Sequence, residues 1–147
     1  MDNNFIRLEK EAFDILNKNK HIVLATSFED FVTARTISYI MINDELYFQT
    51  LSTYEKAIQM KNNDKVALCL DNLQIIGTAQ ILNHPSENDE FLQKYKLIHY
   101  NAYNKYSMLK DEVIIKVRIH KISLWKYENN SGHKLTIDLV KKEFRYE

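Results

Sequence analysis

The chain has 147 residues, enough for one hydrophobic core and short for two ordinary domains, so a single domain spanning 1–147 is expected. Twenty Lys and Arg balance twenty Asp and Glu, leaving no net field to draw the chain toward nucleic acid or an anionic membrane, and any anion binding has to be local. The apolar runs are far shorter than a membrane span, the start Met1-Asp2-Asn3-Asn4 has no basic and apolar leader, and one cysteine allows no internal disulfide, which together predict a soluble, cytoplasmic protein.

In chain order, Phe5, Leu8, Ala12 and Ile15/Leu16 recur at helical spacing between charged residues, predicting an amphipathic first helix that ends near Asn17–Lys20. From His21 the pattern turns β-rich, with a turn at Phe28-Glu29-Asp30, a long run from Phe31 to Ile42, a turn at Asn43-Asp44-Glu45 and a strand Leu46–Thr50. Such short connections require antiparallel pairing. A short helix over about Thr53–Lys61 follows, then strands at Lys65–Leu70 and Gln74–Leu82, joined by Asp71-Asn72-Leu73. Cys69, inside the first of these, is expected to be a small buried apolar residue. Gly77 in a strand interior suggests a bulge or a close backbone approach.

Ser86 can cap a helix running to about His99, with Glu87, Asp89 and Glu90 at its positive end. In the final long strand, Val113–Trp125, the apolar residues Val113, Ile115, Val117 and Ile119 share one parity and Ile122 and Leu124 the other, which predicts a bulge near His120-Lys121. About six strands and three helices with antiparallel connections make a mainly β fold, a small barrel with peripheral helices.

Several residues could carry chemistry. Ala34, Thr36 and Ser38 form a small-residue face that would let a flat ligand, or a tightly packed layer, approach the backbone. Arg35, on the opposite face among apolar neighbours, needs an anion, carbonyls or a structural Asp or Glu for its five donors. In "QTLSTYEKA", Gln49 to Ala57, Ser52 or Thr53 could cap the helix, or the same N–H groups with Lys56 could hold a phosphate. The five histidines have neither HExxH nor CxxC partners, so no dedicated metal site is expected. Tyr95, Tyr100, Tyr103 and Tyr106, interleaved with lysines, read as a packing or dimer-contact segment, and no nucleic-acid partner is expected.

The blocks "HIVLATSFEDFVTARTISYI", "ELYFQT", "STYEKA", "KVALCL" and "IIGTAQIL", in that order over roughly residues 5–127, resemble the pyridoxamine 5′-phosphate oxidase-like family of FMN-binding split barrels, and within it the small members of the general stress protein 26 type. The resemblance implies an antiparallel split β-barrel with FMN as cofactor. It implies that Arg35 and Lys56 serve the phosphate, that Thr36, Ile37 and Ser38 meet the flavin ring through their backbone, and that Gln49, Thr50 and Ser52 lie beside it. It also implies that Asn72 or, in a shifted register, Gln74 reaches the flavin, and that Trp125 approaches from the partner subunit, making a homodimer with sites at the interface. The function so implied is a flavin-dependent oxidoreductase for an unidentified small molecule. The alternatives are a non-catalytic protein that stores or senses flavin or haem, and authentic pyridoxamine 5′-phosphate oxidation.

Overall fold

Two-residue turns set the register of the sheet, and acidic and amide residues make them in a chain with only two glycines. The computed structural model describes residues 2–147. After α1 (Asn3–Lys18), the strand β1 (His21–Phe28) returns as β2 (Phe31–Ser38) through Glu29 and Asp30 at φ 49° and 65°. β3 (Ile40–Ile42) returns as β4 (Glu45–Leu51) through Asn43 and Asp44 at φ 51° and 64°. Positive φ at both central residues matches the twist of a hairpin, and Asn and Asp tolerate it better than other side chains. α2 (Glu55–Asn62) leads to β5 (Lys65–Leu70) and β6 (Leu73–Ile81), a 3-10 turn (Pro85–Glu87), α3 (Asp89–Ile98) and α4 (Tyr100–Tyr106). The chain closes with β7 (Glu112–Glu128), β8 (Ser131–Asp138) and β9 (Glu143–Tyr146).

The nine strands of the described residues form one antiparallel sheet in the order β2-β1-β5-β6-β7-β4-β3, with β8 added beside the second half of β7 and β9 beside β8. Residue 39 separates β2 from β3, and these two strands stand at opposite ends of the order, so the sheet curls without closing. The expected run Phe31–Ile42 is thus two strands broken at Tyr39. Its phenol is buried, donates to the Leu16 carbonyl (2.7 Å) and is pushed up to about 12 by desolvation, while its own carbonyl lies 2.8 Å from His99 Nε2. The break therefore locks the end of α1 and the end of α3 to one point of the sheet.

The bulge forms where the parity of the apolar residues predicts it. Ile76 pairs with Lys121 and Gly77 with Ile119, leaving His120 as the extra residue, and Thr78 Oγ1 holds its Nε2 at 3.0 Å. Gly77 meets the predicted close approach, since a Cβ there would lie 2.4 Å from the Arg118 carbonyl oxygen. The main core lies between the sheet and α1, whose Phe5, Leu8, Ala12, Phe13 and Leu16 are all buried. A second cluster, Ile40, Phe91, Tyr95 and Ile114, fixes α3 on the outside of β3 and β7.

Three expectations are corrected. Cys69 is exposed, because alternation along β5 turns Val66 and Leu68 inward and puts Cys69 on the outer face. The helix after Ser86 starts at Asp89, capped by Asn88 Oδ1 accepting from Phe91 N–H, and a separate helix, α4, follows His99, which makes four α-helices among the described residues where three were expected. Strands β8 and β9 were not foreseen and exist by pairing with the extension of β7.

Gly77→Ala is expected to destabilise the fold by about 1–3 kcal/mol, because the new methyl meets backbone that must shift. A urea midpoint equal to that of the wild type would show that the strands part at no cost.

Candidate functional site

Along β4 the side chains of Leu46, Phe48 and Thr50 turn inward, and Thr50 is the last of them. The chain then leaves the sheet in a turn held by Ser52 N–H to the Asp111 carbonyl (2.9 Å) and Tyr54 N–H to the Leu51 carbonyl (3.1 Å). α2 begins at Glu55, with Tyr54 at its N-cap and no side-chain cap. The expected cap by Ser52 or Thr53 does not form, because the helix starts too late for either hydroxyl to reach its first free N–H groups. Lys56 is consequently the second helical residue.

Between the end of β2, the end of β4, the start of α2 and the start of β7 lies a cavity of about 210 Å³. Thr36, Ile37, Ser38, Gln49, Thr50 and Lys56, all singled out in the sequence, line it together. Sequence reasoning missed Leu51, Tyr54, Tyr95, Ala102, Tyr106 and, above all, Glu112. Register places Glu112 opposite Leu51 in the β4–β7 ladder, which brings its carboxylate to the cavity. Its only sequence signal is an acid opening an apolar strand.

Among the described residues, two buried side-chain polar atoms have no hydrogen-bond partner, Gln49 Nε2 and Thr50 Oγ1, and both residues line this cavity. The Gln49 Oε1 accepts from Ser107 Oγ at 2.8 Å, which leaves the amide nitrogen as the unpaired group. Unpaired buried polar atoms are costly, so each calls for a partner that the protein itself does not supply. Lys56 Nζ lies 5.0 Å from the Tyr54 ring centroid. Burial lowers the basicity of its ammonium, the Arg35 charge lowers it further, and Glu112 opposes both. Glu112 is 3% exposed, and burial pushes its carboxyl up to about 7 against the pull of Lys56. Burial and then the Glu112 charge push the Tyr95 phenol up as well.

Arg35 stands behind the wall rather than on it. Its guanidinium donates to the Leu24 carbonyl (3.2 Å), to Thr26 Oγ1 (2.8 Å) and to Thr33 Oγ1. Both threonines donate to Gln59 Oε1, at 2.6 and 2.8 Å, and Gln59 Nε2 donates to the Phe31 carbonyl at 3.1 Å. Hydroxyls and a carbonyl therefore take the place of the acid partner, and the network ties α2 to the β1–β2 hairpin. Burial lowers the basicity of Arg35, offset by the charge of Glu55.

Asn72 and Trp125 lie apart from these residues, in a second cleft of about 500 Å³ between α1, the β5–β6 turn and β7, where Trp125 N–H donates to the Asn72 carbonyl (3.1 Å). This cleft is wider but contains neither unpaired donor. Gln74, opposite Cys69 and Ser123 on the outer face, and Ser52, in the turn before α2, line neither space.

The family model described as pyridoxamine 5′-phosphate oxidase matches residues 8–126. No curated protein matches the sequence. Among solved structures, the general stress protein 26 of Bacillus anthracis is similar with a TM-score of 0.66 and 18% identity, over 96% of this chain and 99% of that one. PhzG from Burkholderia lata, in complex with tetrahydrophenazine-1-carboxylic acid, has a TM-score of 0.67 and 16% identity over 100% of this chain and 96% of that one. An FAD-binding protein from Mesorhizobium loti has a TM-score of 0.61 and 14% identity over 77% of this chain and 90% of that one. At these identities the structures establish the fold.

Because the Glu112 carboxyl is raised from 4.5 to about 7, its burial costs nothing below the lower value, costs more as the pH climbs between them, and costs most above the upper. Glu112→Gln should therefore stabilise the ligand-free protein by roughly 1–3 kcal/mol at about pH 8 and by little at about pH 4.5. Urea unfolding at both pH values checks this, and a gain independent of pH would mean that the carboxylate is not the source.

Proposed function

The chain belongs to the pyridoxamine 5′-phosphate oxidase family, and from that membership we propose that it binds FMN and acts as a flavin-dependent oxidoreductase on a small molecule. The observation that carries the reading is the cavity at the start of α2, lined by the half-buried Lys56 and by Gln49 and Thr50, the two residues whose buried polar atoms lack a partner. A phosphate matches that donor set, since it offers several strong acceptor oxygens and negative charge to the free N–H groups of a helix start. Lys56 neutralises the phosphate, Thr50 and Gln49 donate to its oxygens or to the adjoining polyol, and Arg35 supports the field from behind the wall. β2 is an edge strand, so the outer backbone groups of Thr36, Ile37 and Ser38 are free to hydrogen-bond a flat heterocycle. When bound, the flavin supplies the hydride and electron transfer, and the protein binds it, orients it and tunes its surroundings. The similarity to an FAD-binding protein accords with this reading.

Purified protein titrated with FMN should quench flavin fluorescence and gain about 2.7 kcal/mol of stability at a hundredfold excess over Kd. Lys56→Ala should weaken FMN binding by roughly 10- to 100-fold while leaving riboflavin affinity nearly unchanged, because only FMN carries the phosphate. Protein that binds neither compound, with no movement of its thermal midpoint, would sink the proposal. Oxidation of a reduced nicotinamide in stoichiometric excess over protein tests the catalytic half, and binding without turnover would reduce it to storage or sensing.

The reading extends to a homodimer. A 210 Å³ cavity is small for a whole FMN site, since ligand pockets run to roughly 300 Å³ or more. A second copy would complete it. The outer face of β2, β1, β5 and β6 supports this. Val32 and Val23 are 67% and 39% exposed and Ile76 46%, and register sets Ala34, Ala25, Ala67 and Cys69 among them. Asn72 and Trp125, absent from the Lys56 cavity, would then belong to the site of the opposite subunit. Lys56→Ala and Trp125→Ala should each bind FMN poorly alone, and after mixing and subunit exchange about a quarter of the sites should recover, because a two-fold heterodimer keeps one intact site. No recovery in a mixture shown to exchange subunits would place Trp125 in the same site as Lys56 or in none.

A further inference from the structure

Glu112 has no place in the phosphate site just described, yet it lines the same cavity and is nearly sealed from solvent. Its backbone is fixed twice, by the ladder opposite Leu51 and by its N–H donating to the Leu109 carbonyl (3.2 Å), so the carboxylate cannot leave the cavity by a small shift of a loop. Lys56 from α2 faces it, with Tyr95 from α3, Tyr106 from α4 and Tyr54 from the turn completing the polar wall, and Arg35 of β2 stands behind Lys56. Of these only Lys56 and Arg35 are cations. Among the described residues no ion pair closes on Glu112, so its charge is opposed across the cavity and not neutralised by contact. An anion entering there meets an ammonium and a carboxylate at once.

We infer that Glu112 is a proton-gated counter-ion of the flavin phosphate site: ionised, it holds the Lys56 charge for itself and repels phosphate, and protonated, it releases Lys56 and adds a hydrogen-bond donor. The inference rests on the FMN reading above. Burial already brings the carboxyl to about 7 in the free protein, and a phosphate beside it raises the value further, so binding takes up a proton. Affinity is therefore highest below about pH 7 and falls above it, by up to tenfold per pH unit for a single linked proton. The second ionisation of the phosphate itself, near pH 6, works in the opposite direction and acts alike on every variant.

FMN and riboflavin are titrated against the wild type and Glu112→Gln from about pH 6 to about pH 8.5, a range that spans the carboxyl and clears its upper side. The wild type should lose FMN affinity roughly tenfold or more relative to Glu112→Gln across that range, with riboflavin flat in both proteins. Parallel FMN curves for the two proteins would overturn the role of Glu112 and leave the cofactor reading standing. Absence of FMN binding at every pH would overturn the cofactor reading and this inference with it. If Glu112→Gln does not fold, carbon-13 NMR of the glutamate carboxyls in the wild type decides. The Glu112 titration midpoint should rise on FMN binding and stay put with riboflavin, and an unmoved midpoint with FMN bound overturns the proposal.

Discussion

Everything in this molecule is hung on β7 and on the one residue by which it slips its register. The strand runs for 17 residues, and along one edge it pairs with β6 from Ile115 to Leu124. Along the other it pairs with β4 from Glu112 to Val117 and with β8 from Lys121 to Glu128. A regular strand could not keep its apolar residues inward across that change of neighbour, because the sheet turns between the two partners. His120 absorbs the difference: as the extra residue it flips the parity, so Ile119 and Ile122 can both face the core. Gly77 is the other half of the device, since only a residue without Cβ lets the opposite backbone come so close.

The cavity exists because β7 begins, at Glu112, beside the point where β4 gives way to the turn before α2. That junction gathers residues from six elements, β2, β4, α2, α3, α4 and β7, and two of its buried polar atoms find no partner. Burying Glu112 without a contact ion pair, and leaving two buried polar atoms unpaired, costs the fold on the order of several kcal/mol. A core in which most of the aliphatic residues of the sheet and α1 are fully buried can sustain that cost. Local frustration of this kind concentrates where a ligand completes the hydrogen bonding, and the second, wider cleft shows no such tension.

What was legible in the sequence follows from how far each signal reaches. Alternation along one strand showed the parity flip near His120, and Gly77 in a strand interior showed the close approach, because both are written into consecutive residues. The resemblance brought Thr36, Ile37, Ser38, Gln49, Thr50 and Lys56 to one place, as the cavity does. Tyr95 and Tyr106 were read as part of a packing or dimer-contact segment, since nothing in their own segment tells that α3 and α4 fold over the end of β4. Glu112 was missed because its neighbour Leu51 is set by the β4–β7 register across 60 residues of chain. β8 and β9 carry weak alternation and are strands by virtue of the edge that β7 offers. Cys69 was misplaced by composition, which says that cysteines are often buried, where alternation along β5 said otherwise.

Arg35 shows most clearly how a right residue can have a different physical role. The pattern marks it as an arginine among apolar neighbours that must satisfy its donors, and the structure answers with two threonines and a carbonyl, not with an open anion site. Through those threonines it reaches Gln59, and Gln59 in turn is anchored to the backbone of Phe31. Since Gln59 lies one turn beyond Lys56 on α2, the network fixes the helix whose start bears the lysine. Its charge also lowers the basicity of Lys56, so the ammonium most in need of an anion is the one with a second cation behind it. Glu55 and Glu112 oppose the two cations from outside the wall and from within the cavity, respectively. The proposed anion site rests on this balance of four charges, of which only Lys56 and Glu112 meet the cavity, and its proposed strength turns on whether the inner acid holds its proton.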